Sequence, residues 1–268
     1  MTLYLVRHAR TRWSGARYCG RTDLPLSEEG LAEARAAAGW LGARGGHPPR
    51  IVSSPRARAM ESAQIIAAPW KRAVETDARL READFGDAEG LTFAELEQSW
   101  PELARRLGAS DLAPHLGAGD LGIDWPNGER ARDLSARVAE FWHERTGGGV
   151  DEDLVVVTHG GPARHLLTLV GAASPMALVP AEIVALERTA TARLAALVPA
   201  EVVALERTTA PGPTALAPAE VVALGRTGAA ITEALVPAEI VALERTVAWR
   251  EVARWRPSGS GSGVEVSR

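Results

Sequence analysis

The 268-residue chain is 46% hydrophobic, enough for one sizeable α/β domain with a real core and marginal for two. Its formal net charge of −4 and pI of about 5.9 exclude the global basic field that gathers nucleic acid. A single cysteine, Cys19, excludes an internal disulfide and a cysteine-built zinc cluster, and the lack of any apolar run of about 18 residues excludes a transmembrane helix.

The N-terminus runs straight into an apolar stretch without the basic and apolar regions of a secretory signal, so a soluble cytoplasmic protein is expected. Residues 2–7 read as a strand, and residues 17–26 as a turn-rich loop. Ser27 is placed to cap a helix whose first turn carries Glu28 and Glu29; Leu31, Ala34, Ala38 and Leu41 give it an apolar stripe. Residues 50–53 form a short strand, and Pro55 opens the next helix at a tolerated position. Residues 73–76 read as a strand, followed by a loop from 80 to 90. Thr92 caps a helical stretch that Pro101 interrupts. Asn127-Gly128 marks a turn before a long helix over 129–145. Residues 154–158 are the clearest strand, a continuous apolar run of the kind buried on both faces, and a helix follows from Pro162 to about Val170.

This alternation predicts an α/β fold: a single three-layer domain with a mostly parallel central sheet and helices on both faces. The core is expected over residues 1–177, the last core strand over 247–256, and a flexible Gly/Ser tail over 257–268.

Between them, residues 178–246 carry four tandem repeats with a period of 19 residues. Leu178 begins LVPAEIVALERT, Leu197 LVPAEVVALERT, Leu216 LAPAEVVALGRT, and Leu235 repeats the first core letter for letter. Each core suits one strand, although a helix starting at the proline is compatible with its Ala, Leu and Glu content. In-frame duplication of one native sheet strand explains the pattern better than a solenoid, because the seven-residue spacers differ and one contains TAPGPTA. Surplus apolar strands offer a route to self-association; oligomeric state is otherwise unreadable. Deleting residues 190–246 is expected to leave a folded, active chain of 211 residues, and loss of soluble expression in that variant would contradict the duplication reading.

Two strands in this scheme deliver a histidine from their C-terminal ends: Arg7-His8 and Thr158-His159-Gly160. That edge of an open α/β sheet is where ligands bind. A histidine beside an arginine there points to phosphoryl chemistry, with imidazole as nucleophile and guanidinium as oxyanion clamp. The segment Ser53-Ser54-Pro55-Arg56-Ala57-Arg58 opens a helix after a strand, a ready anion site, and Leu80 to Gly90 packs several carboxylates into one loop. His47, His115, His143 and His165 show no metal-ligand spacing.

In this order, the segments LVRHART, CGRTDLPLSEEG, SSPRARAMESA, LREADFGDAEGLT, PNGE and VVVTHGG resemble the histidine phosphatase superfamily, whose other branch is cofactor-dependent phosphoglycerate mutase. The likeness covers roughly residues 2–175 and resumes at the final hairpin. RTDLPLSEEG and E-x-D-F-G are most similar to the alpha-ribazole phosphatase-like branch. The resemblance implies that His8 becomes phosphohistidine, that Arg7, Arg58 and His159 hold the phosphoryl oxygens with Ser14, Gly160 and Arg21 beside them, and that Glu82 protonates the leaving oxygen. Asp84 and Glu89 are alternative acids. No metal or cofactor is required, and the expected partner is a small phosphorylated substrate rather than nucleic acid or membrane. Ala9 stands where the family usually has glycine, Ser14 where asparagine is common and Ala88 where tryptophan is frequent; none of these removes a catalytic group. The implied activity is phosphomonoester hydrolysis. A mutase-type phosphotransferase is the alternative, and an inactive phosphatase-like module associating through its repeats is a third reading.

Overall fold

The computed structural model describes residues 1–44, 49–109, 122–146, 152–171, 178–197, 223–224, 230–231, 241–257 and 264–266. Strands β1 (Thr2–Arg7), β2 (Arg50–Ser53), β3 (Val74–Thr76) and β4 (Leu154–Thr158) are mutually parallel in the order β3-β2-β4-β1. Their side chains alternate between two apolar cores. Leu3, Leu5, Val52, Leu154 and Val156 face one core, and Val6, Ile51, Val155 and Val157 face the other.

Helices α1 (Glu28–Ala43) and α2 (Ala57–Ala67) supply Ala34, Ala37, Leu41, Ala63 and Ile66 to the second core. The first core is filled by α3 (Phe93–Ser99), α4 (Pro101–Ala109), α5 (Ala131–Thr146) and α6 (Gly160–Leu169), through Leu96, Leu107, Phe141 and Leu166 among others. This is the expected sandwich of helix, sheet and helix. The caps are as read from the sequence: Ser27 Oγ accepts from Gly30 N–H, and Thr92 forms a reciprocal capping box with Glu95. Helix α6 begins two residues earlier than expected, so Pro162 sits inside its first turn, where a missing N–H costs nothing.

The sheet is mixed rather than mostly parallel. Beyond β1 lie β5 (Ile183–Leu197), β8 (Val241–Arg256) and β9 (Val264–Val266), giving the order β3-β2-β4-β1-β5-β8-β9. Strand β5 pairs antiparallel with β1, Val6 opposite Ile183 and Leu3 opposite Leu186. The cause is local. Ala181 N–H donates to the carbonyls of Arg7 and His8, so the chain enters β5 where β1 ends and must run back along it. The strand that does this is the first repeat core. Residues 257–268, expected as a flexible tail, contain β9, which pairs antiparallel with Arg254–Arg256.

The chain divides into two compact units, Met1–Arg188 with Trp249–Arg268, and Thr189–Ala248. Within the second unit, β6 (Ala223–Leu224) pairs with β7 (Ala230–Ile231). The rest of the second and third repeats, residues 235–240 of the fourth, and the side chains of residues 241–246 lie outside the described residues.

Helix α6 carries a buried histidine, His165, whose Nδ1 lies 3.2 Å from Ser135 Oγ of α5. Burial, with Arg137 and Arg164 nearby, lowers its pKa to about 4. A group lowered in the folded state contributes stability above its unfolded pKa of about 6.5 that is lost as pH falls toward the folded value. The melting temperature is therefore expected to fall between about pH 6.5 and 4, more shallowly in His165→Gln. Parallel curves for the two proteins would remove His165 from that account.

Candidate active site

The pairing of β1 with β4 sets Arg7 opposite Thr158, and His8 N–H donates to the Thr158 carbonyl at 2.8 Å. The next residue on each strand is a histidine. The His8 and His159 rings therefore meet edge to face, with centroids 5.0 Å apart. Strand β2 ends alongside at Ser53-Ser54, and α2 starts immediately beyond it, so Arg58 projects from the first turn of that helix.

His8 is buried, and its Nδ1 lies 2.7 Å from the Ala9 carbonyl. A carbonyl only accepts, so Nδ1 is assigned the proton and Nε2 keeps its lone pair. Arg58 Nε points at that lone pair from 3.3 Å. Burial, then the charges of Arg58 and Arg7, hold the imidazole pKa well below its usual value, so the ring is neutral and nucleophilic near neutral pH.

His159 is fully buried, and its Nε2 lies 2.8 Å from Ser54 Oγ. Ser54 Oγ also accepts from Arg56 N–H, and we assign its own proton to His159 Nε2. That assignment leaves Nδ1 as the protonated nitrogen, which has no hydrogen-bond partner among the described residues. Burial and Arg58 likewise hold the His159 pKa well below the usual range.

The two guanidiniums are held by main chain. Arg7 Nη1 donates to the Leu178 carbonyl at 2.6 Å. Arg58 is fully buried; its Nη1 donates to the Thr22 carbonyl, and its Nη2 to those of Cys19 and Gly20. Glu82 lies on the other side of the cleft. Its carboxyl accepts from the N–H groups of Ala83 and Gly161 at 3.0 and 3.2 Å, and burial raises its pKa against the pull of those bonds and of Arg58 and Arg7. A Cβ on Gly161 would lie 2.5 Å from Glu82 Oε1, so a side chain there would push the carboxyl out of this position. Arg7, His8 and Glu82 line one cleft together with Thr11, Trp13, Ser14, Arg17 and Cys19.

Of the residues expected from the sequence, Arg7, His8, Ser14, Arg58, Glu82 and His159 gather around this cleft, and Gly160 heads α6 beside His159. Ser14 Oγ accepts from Thr11 N–H and so shapes the loop as well as lining the cleft. Arg21 does not join them. It is exposed and paired with Asp84 at 3.2 Å, because Glu89 and Arg58 fix the main chain of its loop and leave its side chain directed to solvent. The alternative acids are otherwise engaged: Asp84 bonds Arg21 and Gly86 N–H, and Glu89 bonds main-chain N–H groups of residues 20–22. Ser54 was not assigned a role from sequence, although its place in the Ser53-Ser54-Pro55 turn was the available signal. Among the described residues, no group of three or more His, Cys, Asp or Glu side chains is arranged to hold a metal ion, and no helix is long and apolar enough to cross a membrane.

A neutral imidazole whose lone pair meets Arg58 Nε, two guanidiniums, an imidazole N–H and a carboxyl biased toward its acid form make a site suited to transferring a tetrahedral anion to nitrogen. The model of the histidine phosphatase superfamily (branch 1) matches residues 3–193, and the chain belongs to that family. Among its relatives, a glucosyl-3-phosphoglycerate phosphatase of Mycobacterium tuberculosis is 38% identical over 165 residues, 59% of this chain and 70% of that protein. A 2,3-bisphosphoglycerate-dependent phosphoglycerate mutase of Mesorhizobium japonicum is 30% identical over 192 residues, 68% and 87% of the two chains. A bifunctional protein of Mycobacterium tuberculosis is 38% identical over 168 residues, and the matched stretch spans only 43% of its length. A solved mycobacterial glucosyl-3-phosphoglycerate phosphatase in complex with VO3 superposes with a TM-score of 0.57 at 31% identity, covering 70% of this chain and 92% of that one. These neighbours carry phosphatase and mutase names, not that of the alpha-ribazole phosphatase-like branch to which the sequence motifs pointed.

Proposed function

We propose that this chain is a metal-independent phosphomonoester hydrolase that acts on a small phosphorylated metabolite through a phosphohistidine on His8. The observation that carries the reading is the His8 Nε2 lone pair facing Arg58 Nε at 3.3 Å in a cleft that also contains Glu82. Nε2 attacks phosphorus; the N–P bond forms as the ester P–O bond breaks, and its electron pair leaves on the alcohol oxygen. Glu82 delivers a proton to that oxygen. Arg7, Arg58 and the Nδ1–H of His159 neutralise charge on the three equatorial oxygens. Water then attacks the phosphohistidine, Glu82 takes its proton, and the N–P electron pair returns to Nε2.

The names of its relatives put glucosyl-3-phosphoglycerate first among candidate substrates. The experiment is a phosphate-release screen across that ester, 3-phosphoglycerate, alpha-ribazole phosphate and sugar phosphates, with acid-labile, base-stable labelling of the enzyme. No release from any small phosphoester would refute hydrolysis. The mutase relative supports a second reading, and isomerised phosphoglycerate without free phosphate would select it.

A further inference from the structure

We propose that Glu89 is the positioning residue that fixes Arg58 against the nucleophile, acting through the main chain of residues 19–22. This rests on the reading of His8 as the phosphoryl acceptor. Glu89 Oε1 accepts from the N–H groups of Gly20 (3.1 Å) and Thr22 (3.0 Å), and Oε2 from those of Gly20 (3.1 Å) and Arg21 (3.3 Å). The opposite ends of the same peptide groups face Arg58. The Cys19 carbonyl belongs to the peptide unit of Gly20 N–H, and the Gly20 carbonyl to that of Arg21 N–H. Both accept from Arg58 Nη2, at 3.1 and 2.8 Å.

Two peptide dipoles thus stand in line between a carboxylate and a guanidinium. The carboxylate polarises each peptide and strengthens its carbonyl as an acceptor. The Thr22 carbonyl holds Nη1 at 2.8 Å, so both terminal nitrogens of Arg58 are committed to the loop. Only Nε remains directed at His8 Nε2. The arrangement tolerates no side chain at residue 20. A Cβ on Gly20 would strike the Ala83 carbonyl oxygen and lie 3.0 Å from Glu89 Oε2. Glu89 touches neither His8 nor the cleft; its effect passes through the backbone.

The test compares wild type, Glu89→Ala, Glu89→Gln and His8→Ala by the pH dependence of kcat/KM for phosphate release. The charged and titratable groups around His8 are Arg58, Arg7, His159 and Glu82, with Arg17 and the Cys19 thiol also lining the cleft. Arg58 is one of the charges that hold the His8 pKa down. Releasing its guanidinium is expected to move the acidic limb of the profile to higher pH in Glu89→Ala and to lower kcat/KM about 100-fold, the scale of an ångström-sized misplacement. Glu89→Gln keeps one accepting oxygen and should recover part of both effects. A merely structural role would lower the melting temperature without moving the limb. If Glu89→Ala does not fold, Glu89→Gln carries the same readout. An unmoved acidic limb and a rate within about twofold of wild type in the folded variant would overturn the proposal. Phosphate release by His8→Ala would instead overturn the reading beneath it.

Discussion

Replacing His8 by alanine is expected to abolish phosphate release, with a loss on the order of 10⁵-fold or more, as when other covalent nucleophiles are removed. The fold should survive. The His8 ring makes two hydrogen bonds, with its neighbour's carbonyl and with Arg58 Nε, whereas the pairing of β1 with β4 and β5 is main chain and independent of that ring. Shrinking the side chain also leaves Arg58 with its three carbonyl partners. Phosphate release and labelling, measured beside a thermal melt, decide the matter. Turnover above background in a folded variant would remove His8 from its role.

Glu82→Gln is expected to show a loss that depends on the leaving group. Glutamine keeps an oxygen for the N–H groups of Ala83 and Gly161 but cannot give up a proton. For alkyl phosphoesters, whose alkoxide is a poor leaving group, kcat/KM, which reports formation of the phosphohistidine, should fall about 10²- to 10⁴-fold. For aryl esters that leave as stabilised phenolates, the fall should be small. The pH profile supplies a second reading. Burial raises the Glu82 pKa, so the required acid form is present at low pH and lost as pH rises through that raised value. The acidic limb belongs to His8, which must be neutral to attack. Wild type should therefore show a bell, and Glu82→Gln should lose its alkaline side. Equal losses on alkyl and aryl esters would point to a structural defect instead.

Much of the site was readable before any coordinates, because its central residues sit at the ends of strongly apolar strands. The runs Leu3–Val6 and Leu154–Val157 could only be buried strands, and each is followed within two residues by a histidine. The parallel register of those strands then brings His8 and His159 together. The direction of β5 was less legible, since an apolar strand reads alike whichever way it runs; only the bonds of Ala181 to Arg7 and His8 fix it. Arg21 looked like a phosphate ligand because it lies in the right loop, yet three of that loop's carbonyls serve Arg58 and its own side chain reaches Asp84. Glu89 was legible only as a spare acid, because a contact made entirely with main-chain N–H groups leaves no mark in the partner sequence. The 19-residue repetition of letters is plain in the sequence, and duplication is our reading of it. Its first copy forms β5 at the centre of the sheet, while the deletion that tests the surplus copies concerns residues mostly outside the described set.

Arg7, His8 and Glu82 line the cleft, but most of its lining comes from one segment, with Thr11, Trp13, Ser14, Arg17 and Cys19 all between β1 and α1. The same segment carries His8 and the Cys19, Gly20 and Thr22 carbonyls that hold Arg58. Change there is therefore expected to alter turnover and the choice of alcohol together.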